Sequence, residues 1–341
     1  MTRKSLCFLY FFELTIIIGI VWRAKIWQQF LFDSTLITEK TNWRFKPFPF
    51  QITPRNGCVP GIKTLFIIHT SVLNERRRAA IRETYTNPVW MDRFHFRTIF
   101  VTARSESDRV ESQLKAESDK YGDILQNGHI DAYRNLTIKF LNWMRYVRDE
   151  CPDVEAILKL DDDILPNIFE IFHDFDANRI SKENTMTCLK GQDSSITVRN
   201  KSSHWYVSRK AHPGDYWETF CHSSAIIFSP DLFPRLIAQI EKKEFYTSVD
   251  DAFITGQIAS EIGGIKRDFR LYGKRYLLNG QPGWEALIDV PMITGKVVFG
   301  EYVTSTQMKR IFNELTILRG NVTDPPDHFP QSVKQGPINE D

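Results

Sequence analysis

The sequence predicts an α/β protein with one compact body built around a mainly parallel sheet. Between residues 64 and 160, apolar runs typical of buried strands alternate with stretches of helical periodicity, which is the pattern of βαβ units. The run Ala156–Leu160 ends directly at Asp161-Asp162-Asp163, and parallel sheets bind ligands at the carboxyl ends of their strands. Beyond residue 200 the alternation changes. We therefore expect a Rossmann-like first half and a mixed second half.

The elements of the first half follow from the spacing of their apolar residues. The helix that begins at Leu136 has Phe140, Trp143 and Val147 on one face, because residues at these intervals share one side of an α-helix. A basic helical stretch follows the first strand. The predicted order is strand 64–68, helix 75–85, strand 97–102, helix 106–121, the helix from Leu136, and strand 156–160.

The second half has fewer regular patterns. Strands are predicted at Trp205–Val207 and Ala225–Phe228. Ser229-Pro230-Asp231 then starts a helix that runs to Ile240, because proline favours the first helical position. A further helix from about Asp250 to Glu261 is ended by Gly263-Gly264.

An apolar segment at residues 6–22 precedes this body. As a helix it reaches about 25 Å, which suits a thin bilayer. A cleaved signal peptide has a similar apolar central region, but no small-x-small cleavage site follows the segment. We therefore expect an uncleaved signal anchor, and the predicted divisions are a cytosolic tail at 1–5, the anchor at 6–22, a stem at 23–57, a lumenal domain at 58–324 and a disordered tail at 325–341.

Composition and absent motifs exclude several classes of protein. The 341 residues include 44 Lys and Arg and 42 Asp and Glu, a net charge of +2, so no strong field steers the chain onto nucleic acid. Hydrophobic content of 42% excludes wholesale disorder. No GxGxxG, GxxxxGK, HExxH or GxSxG motif occurs, which removes the usual signatures of dinucleotide oxidoreductases, P-loop enzymes, zincins and α/β-hydrolases.

The cysteines of the body indicate an oxidising compartment. They form an even set without CxxC or zinc-like spacing: Cys58, Cys151, Cys188 and Cys221. Two disulfides are expected, and the sequence alone allows three pairings. Three N-x-S/T sequons, at Asn135, Asn200 and Asn321, agree with a lumenal body. The Asn135 sequon opens a helical pattern, whereas the other two stand in polar stretches where a glycan fits.

The triplet Asp161-Asp162-Asp163 is the sharpest chemical feature of the chain. Three consecutive carboxylates after an apolar strand repel one another unless a cation or hydrogen-bond donors compensate them. Hard divalent ions such as Mg²⁺ and Mn²⁺ prefer such oxygen ligands. Asp161 and Asp163 point the same way in an extended segment and could share one ion. A solvated acidic turn is the alternative interpretation.

Two further charged motifs admit both a chemical and a structural interpretation. Asp250-Asp251 stands at a helix start, where a carboxylate also serves as an N-cap and favours the helix dipole. The basic cluster at residues 76–82 follows the first strand. Its arginines could bind a diphosphate, but solvated basic helix faces are more common.

Taken in order, these segments resemble the inverting β-1,3-galactosyltransferase and β-1,3-N-acetylglucosaminyltransferase family of the secretory pathway. The first block is RRxAIRxTY, which ends in Tyr85 where the family usually has Trp. The third and fourth blocks are the DAYRNLTIK segment and LKLDDDI, which is similar to a family pattern LKTDDDV. The blocks lie at residues 77–85, 121–125, 131–139, 158–164, 204–208, 221–229 and 250–256.

The resemblance implies a GT-A type fold with a nucleotide half and an acceptor half, a UDP-sugar donor, Mn²⁺, a glycan acceptor on protein or lipid, and a single-pass type II enzyme in the Golgi membrane. It implies that Asp161 and Asp163 belong to the metal and nucleotide site, with Asp163 the direct ligand. Asp251 would be the general base, with Asp250 the fallback. The residues implied around the donor are Arg78, Arg82, Asp131, Lys139, Asp161 and Asp162.

The chain departs from the family pattern at two places. No histidine lies between His222 and His328 to supply a further metal ligand, and His222-Ser223-Ser224-Ala225 replaces a glycine-rich segment. Two alternative functions differ in class from the transferase. The first is a membrane-tethered lumenal binding or chaperone module of the same fold, without catalysis. The second is a metal-dependent phosphohydrolase, which the ordered blocks disfavour.

Overall fold

The computed structural model describes residues 48–191, 195–269, 275–277, 292 and 294–319. Over these ranges the chain forms a mixed α/β domain, as the sequence predicts. The predicted anchor at 6–22, the tail at 1–5 and the C-terminal tail at 325–341 lie outside the described residues. Among the helices that the model does describe, none has the length and apolar character needed to cross a bilayer.

Strands and helices alternate through the first half. The strands of the described ranges are β1 Phe50–Ile52, β2 Thr64–His69, β3 Phe96–Arg104, β4 Ile124–Ile130, β5 Ala156–Asp161, β6 Leu165–Pro166, β7 Thr185–Lys190, β8 Cys221–Phe228, β9 Lys266–Asp268, β10 Tyr276–Leu277 and β11 Phe299–Gly300. The α-helices there are α1 Glu75–Glu83, α2 Pro88–Arg93, α3 Asp108–Tyr121, α4 Leu136–Glu150, α5 Ile168–Asp176, α6 Phe233–Ile240, α7 Ala259–Ile262 and α8 Ser305–Arg319. Two short 3-10 helices, Tyr133–Asn135 and Pro230–Leu232, precede α4 and α6, and a π-helix, Ala252–Ile258, precedes α7.

One large sheet organises the domain. Within the described ranges its eight strands follow the order β1-β4-β3-β2-β5-β8-β7-β9. Strands β4, β3, β2 and β5 are parallel, and β8 then joins β5 in the antiparallel direction with Leu160 opposite Ala225. The carboxyl end of β5 therefore lies beside the first residues of β8. This change of direction brings two acidic motifs of the sequence to the same end of the sheet.

A small second sheet continues from the acidic triplet. Strand β6 pairs with β11 in the antiparallel direction, and β11 pairs with β10 in parallel. The backbone N–H of Val303 donates to the carbonyl oxygen of Asp163 at 2.8 Å. The segment after β11 is consequently held against the residues that follow β5.

Apolar side chains cover both faces of the large sheet. Successive residues of β2 enter opposite core clusters, with Phe66 and Ile68 on one side and Leu65 and Ile67 on the other. This two-sided burial is typical of central parallel strands. On the second side, the predicted apolar face of α4 packs its Trp143 ring against Phe228 and Phe233 of β8 and α6.

Several sequence predictions need correction. Trp205–Val207 is not a strand: the segment lies in a loop of turns, and Arg199 donates hydrogen bonds to the carbonyls of Val207 and His212. β4 and β7 were not predicted: Gln126 and Asn127 interrupt the apolar run of β4 although both side chains are buried, and Thr185, Thr187 and Lys190 interrupt that of β7. The helix predicted from Asp250 begins as a π-helix, and it ends at the predicted glycines.

Two disulfides are present, as predicted, and the structure gives their pairing. Cys58 is joined to Cys151 and Cys188 to Cys221. The first bridge fixes the segment before β2 to the end of α4, and the second joins the antiparallel strands β7 and β8.

The large sheet begins before the predicted domain boundary at residue 58. β1, inside the predicted stem, pairs with the edge strand β4. Phe50 also packs edge-on against Tyr146, with ring centroids 5.6 Å apart. The folded part of the chain thus includes these residues because they cover an edge of the sheet that would otherwise be open.

Candidate active site

Lys159 connects the two acidic motifs. Its side chain is buried, and Nζ lies 2.6 Å from Asp161 Oδ1 and 2.6 Å from the carbonyl oxygen of Ser223. The backbone N–H of Ser223 in turn donates to the carboxylate of Asp251. Because β5 and β8 are neighbours, Lys159 links Asp161 to the Ser223 backbone that holds Asp251, and its charge acts against the burial that raises the pKa of Asp251. The sequence analysis missed Lys159, since its place in an apolar strand resembles a core position.

Asp162 is the most tightly held member of the triplet. Thr70 Oγ1 donates to its Oδ2 at 2.7 Å, Asn74 Nδ2 donates to the same oxygen at 2.8 Å, and Arg77 NH1 lies 3.8 Å from its Oδ1. Thr70 and Asn74 belong to the loop between β2 and α1. Asp162 therefore fixes this loop over the carboxyl ends of the strands, a different role from the donor contact implied by the resemblance.

Asp163 differs from its two neighbours. Within the described ranges its carboxylate accepts no hydrogen bond and forms no ion pair. Burial raises its pKa to about 6, helped by the charges of Asp161 and Asp162, while Arg77 acts in the opposite direction. An acidic group in such surroundings is stabilised as an anion by a cation or by hydrogen-bond donors, and no protein donor contacts this carboxylate within the described ranges. Asp163 is thus the best placed of the three aspartates to bind one.

Glu301 is a site residue that the sequence analysis missed. It lies directly after β11, is 5% exposed, and accepts a hydrogen bond from Ser224 Oγ at 2.5 Å. Ser224 Oγ also lies 3.0 Å from His222 Nδ1. The charge of Glu301 contributes to the raised pKa of Asp163. No motif marks Glu301 in the sequence, because the pairing of β6 with β11 alone brings it to this end of the sheet.

Asp250 and Asp251 stand at the start of the π-helix. Burial raises the pKa of both carboxyl groups, and the charge of Asp251 adds to the effect on Asp250. Asp251 accepts a hydrogen bond from the N–H of Ala252 at 2.7 Å, so the capping role considered from the sequence is also present. Asp250 is buried, whereas Asp251 is partly exposed. Asp251 is therefore the one accessible to a substrate, in agreement with the preference for it as base.

The π-helix is fastened to β8 at its first turn. Thr255 Oγ1 donates to the carbonyl oxygen of Asp251 at 2.7 Å and accepts from the N–H of Cys221 at 2.8 Å. A Cβ at Gly256 would lie 3.0 Å from Phe220 Cβ, so glycine allows the close approach. Irregular helical turns of this kind are frequent at functional sites, and here the turn fixes Asp251 beside Ser223.

Arg78 and Arg82 have protein partners instead of the donor contacts that the resemblance implied. Arg78 is 1% exposed and binds both oxygens of Glu117 at 2.9 and 2.7 Å. Arg82 binds Asp123 and Glu117 and lies over the ring of Tyr121. Charged groups at these distances in a buried network are satisfied by one another. Their geometry fixes α1 and α3 together and does not bring them to the acidic cluster.

Asp131 and Lys139 form another buried pair. Lys139 Nζ lies 2.6 Å from Asp131 Oδ1 and donates to the carbonyl oxygen of Thr70 at 3.0 Å. The other oxygen of Asp131 accepts from the N–H of Val72 at 2.7 Å. Both residues thus fix the loop after β2 by contacts with its backbone, and the donor contact that the resemblance implied for them stays a prediction.

Arg77 is the arginine of this cluster that approaches the aspartates. Its NH1 atom is buried and has no hydrogen-bond partner within the described part of the chain. The arginine faces Asp162 from the first turn of α1. Helix N-termini and guanidinium groups both bind phosphate oxygens. Arg77, which was not among the predicted donor residues, is therefore the better candidate for a diphosphate contact.

The sequons differ in their surroundings. Asn200 is exposed, and its Oδ1 accepts hydrogen bonds from the N–H and Oγ of Ser202. Asn135 Nδ2 donates to the carbonyl oxygen of Ile130 beside the start of α4. Asn321 lies outside the described residues. Asn200 thus has the surroundings that a glycan needs, whereas the amide of Asn135 has a structural contact.

Comparison with known proteins identifies a family. The family model described as Galactosyltransferase matches residues 76–268, a segment that contains Lys159 and both acidic motifs but not Thr70, Asn74 or Glu301. Its limits enclose both acidic motifs and more than half of the chain.

The curated relatives described below are all named as beta-1,3-galactosyltransferases. Human beta-1,3-galactosyltransferase 5 is 27% identical over 211 residues, covering 60% of this chain and 66% of the relative. Beta-1,3-galactosyltransferase brn of Drosophila melanogaster is 28% identical over 251 residues, covering 73% of both chains. Mouse beta-1,3-galactosyltransferase 1 is 28% identical over 195 residues, covering 54% of this chain and 57% of the relative. The matched segment therefore spans about half to three quarters of these relatives.

Two solved structures of low similarity are named as glycosyltransferases. The galactosyltransferase LgtC, solved with donor and acceptor sugar analogs, has 10% identity and a TM-score of 0.35, covering 74% of this chain and 96% of that one. The mannosyltransferase PcManGT from Pyrobaculum calidifontis, solved with GDP-Man and Mn²⁺, has 15% identity and a TM-score of 0.34, covering 88% and 76%. These scores are too low to support a comparison of individual residues.

Proposed function

Because the chain belongs to the galactosyltransferase family, which makes it a hexosyltransferase, we propose that it transfers galactose or N-acetylglucosamine from a UDP-sugar to a sugar hydroxyl. The transfer inverts the anomeric centre and forms a β-1,3 linkage to a glycan on protein or lipid. One observation carries the proposal: Lys159 bridges Asp161 and the Ser223 backbone that holds Asp251. A carboxylate that could hold a cation for the diphosphate and a carboxylate that could accept a proton are then available at one end of the sheet.

Asp251 is proposed as the general base. Burial raises its pKa toward neutrality, and bases with such pKa values accept protons efficiently near physiological pH. Its carboxylate would take the proton of the acceptor hydroxyl as that oxygen attacks the anomeric carbon. Since UDP leaves readily as a diphosphate, one displacement without a separate general acid is enough, and the product has the inverted configuration.

The donor side combines an anionic site with fixed hydrogen-bond donors. Arg77 and the first turn of α1 would bind diphosphate oxygens, and Asp162 would keep that loop in place through Thr70 and Asn74. Charge that develops on the departing diphosphate is stabilised most by groups that are already oriented.

The residues present fit a divalent cation of the Mg²⁺ or Mn²⁺ type. No group of three His, Cys, Asp or Glu side chains within the described ranges is arranged to hold a metal ion by itself. Such ions are commonly bound by one or two carboxylates together with substrate phosphates, and Asp163 forms no ion pair within the described residues, although the charge of Arg77 acts on it. Asp163 would hold Mn²⁺, with Asp161 beside it. When bound, the ion would neutralise charge on the leaving diphosphate.

The proposed compartment is the lumen of the Golgi, with the segment at 6–22 as a type II signal anchor. Two disulfides favour an oxidising compartment. The exposed Asn200 sequon and the Asn321 sequon would then be available for glycosylation.

The proposal is tested by transfer from UDP-galactose and UDP-N-acetylglucosamine to β-methyl glycosides of the same two sugars. We expect the full-length protein with Mn²⁺ to give a β-1,3-linked product with one of the donors, identified by NMR of the new linkage. Asp251→Asn should lower kcat at least about 100-fold and leave the affinity for UDP within twofold. The exposed Asp153 provides a control, and Asp153→Asn should behave as wild type.

Two results would overturn the proposal. A product of retained configuration would show that Asp251 is not the base of a single displacement. UDP binding that depends on Mn²⁺, without transfer to any acceptor, would instead favour the non-catalytic binding module. Thermal stability measures this UDP binding without turnover, because a ligand of the native state adds RT ln(1 + [L]/Kd), about 2.7 kcal/mol at 100 times Kd.

A further inference from the structure

Three aromatic side chains form an exposed cluster beside the acidic pair. Tyr133 and Trp205 are 49% and 58% exposed. Trp205 Nε1 donates to the Tyr133 hydroxyl at 3.0 Å, and the rings of Tyr133 and His204 lie 5.8 Å apart at 72°. We call Tyr133, His204 and Trp205 the aromatic platform. Large aromatic rings that remain at the surface in a group mark binding sites.

The platform joins two segments that are distant in sequence. Tyr133 opens the 3-10 helix before α4, whereas His204 and Trp205 lie in the loop between β7 and β8. A second bond, from Arg134 NH2 to the carbonyl oxygen of Ser203 at 3.2 Å, reinforces the link. Since this bond and that of Trp205 to Tyr133 both connect the same segments, the rings are held in a defined mutual orientation.

The loop that carries Trp205 is anchored at the candidate base. Val207, two residues further on, packs in a small apolar cluster with Trp217, Phe220 and Ala252. Ala252 directly follows Asp251. On the other side, Thr137 of α4 donates a hydrogen bond to the carbonyl oxygen of Thr247, three residues before Asp250. Both halves of the platform are therefore fixed to the segment that holds the acidic pair.

The electrostatic surroundings of Tyr133 also indicate that the platform lies near the acidic pair. The pKa of the Tyr133 hydroxyl is raised to about 12, chiefly by burial and further by the carboxylates of Asp250, Asp251 and Asp161. Tyr133 therefore lies within the field of both acidic motifs. The platform adjoins the region where the base faces the reacting hydroxyl.

We propose that the aromatic platform binds the acceptor saccharide, with a pyranose ring stacked on Trp205 and its reacting hydroxyl directed to Asp251. This inference rests on the proposed function and adds a subsite to it. A pyranose ring has a face of C–H groups with small positive charge, and the face of an aromatic ring is negative. Hydroxyl groups at the edge of the sugar stay free for polar contacts, which suits a cluster that retains its own N–H and O–H groups.

The uracil base of the donor is another planar group that stacks on aromatic rings. Uracil would place the platform on the donor side, and substitution there would weaken UDP binding. The chain offers a matched control, because Tyr216 lies in the same loop and is also 58% exposed. Its contacts within the described residues are with His212 and Ile196, not with the platform.

The test compares Trp205→Ala, Trp205→Phe, Tyr133→Phe and Tyr216→Ala in the full-length protein. We expect Trp205→Ala to raise the acceptor KM at least tenfold while kcat at saturating acceptor and UDP affinity stay within threefold. Trp205→Phe, which keeps an aromatic face, should recover most of the loss, and Tyr133→Phe should raise KM about threefold. Tyr216→Ala should match wild type.

Saturation-transfer NMR with the β-methyl glycosides of galactose and N-acetylglucosamine supplies a readout that needs no turnover. Binding that disappears in Trp205→Ala supports the platform even if no transfer is found, in which case only the proposed transferase fails. An unchanged acceptor KM and unchanged NMR contacts in Trp205→Ala refute the platform. Loss of UDP affinity in that variant assigns the rings to the donor, and equal losses in Tyr216→Ala assign the effect to the loop as a whole.

Discussion

Replacing Arg78 by methionine separates a structural role from a donor contact. The guanidinium group has five N–H donors, and it has five acceptors within 3.5 Å: both oxygens of Glu117, Thr70 Oγ1, and the carbonyl oxygens of Ser71 and Val72. No donor remains for a diphosphate. We therefore expect Arg78→Met to reduce stability while leaving the folded protein able to bind UDP.

The size of the loss follows from the partners left behind. Removing one member of a buried ion pair costs about 3–5 kcal/mol, because an uncompensated charge remains. Here Arg82 NH1 still lies 2.7 Å from Glu117 Oε1, which favours the lower end. A loss of about 3 kcal/mol lowers the Tm of a domain of this size by roughly 6–12 °C.

The assay is thermal and urea unfolding of wild type, Arg78→Met and Arg76→Met, with UDP affinity measured below the transition. Arg76 is exposed, and its substitution should change stability by no more than about 0.5 kcal/mol. If Arg78→Met keeps its Tm within about 2 °C and loses UDP affinity more than tenfold, the guanidinium group serves the donor and the reasoning above fails.

Three further predictions concern the site. Asp163→Asn should raise the stability of the ligand-free protein above pH 6 and abolish stabilisation by UDP with Mn²⁺. Because the raised pKa of about 6 means that the fold prefers the protonated acid, the gain in unfolding free energy should shrink as pH falls from 6 toward 4. A gain in urea unfolding that does not depend on pH contradicts this. Asp250→Asn should shift the acidic limb of the pH–kcat profile to lower pH, because removing a neighbouring charge lowers the pKa of Asp251; a shift to higher pH would exclude the coupling. Gly256→Ala should cost about 1–3 kcal/mol of unfolding free energy, because its Cβ would lie 3.0 Å from Phe220 Cβ; a neutral effect would show that the π-helix can move.

The first half of the fold could be predicted because each element has a local signature. Strand β5 and the helix from Leu136 follow from apolar runs and helical spacing, and the position of the triplet at a strand end follows from the parallel sheet. β4 was missed because buried Gln126 is satisfied by Glu111 of α3, a contact between elements that no local pattern contains. The strand predicted at Trp205 is wrong for the opposite reason: the aromatic residues there suggest a buried strand, but Trp205 is exposed in a loop.

The candidate site likewise contains residues that a local motif marks and residues that only tertiary contacts identify. Motif order was sufficient to find Asp163 and Asp251, which carry the proposed chemistry. It could not distinguish Arg77 from Arg78, since neighbouring residues of one helix turn face different surroundings and only the partner Glu117 decides which of them is buried. Lys159 was missed for a related reason, because a lysine in an apolar strand has no local signature; its partners, the Asp161 carboxylate and the Ser223 carbonyl oxygen, are seen only in the structure.

The serine that replaces a family glycine is explained by a residue far away in the chain. Ser224 Oγ donates to Glu301, which lies after β11 and reaches the site only because β11 pairs with β6. A buried carboxylate beside Asp163 is costly without a donor, and a glycine at position 224 would leave this one without that hydrogen bond. The hydroxyl and the carboxylate are therefore best considered as one pair. In this chain the segment that departs from the glycine-rich pattern therefore supplies a hydrogen bond to a buried acid near Asp163.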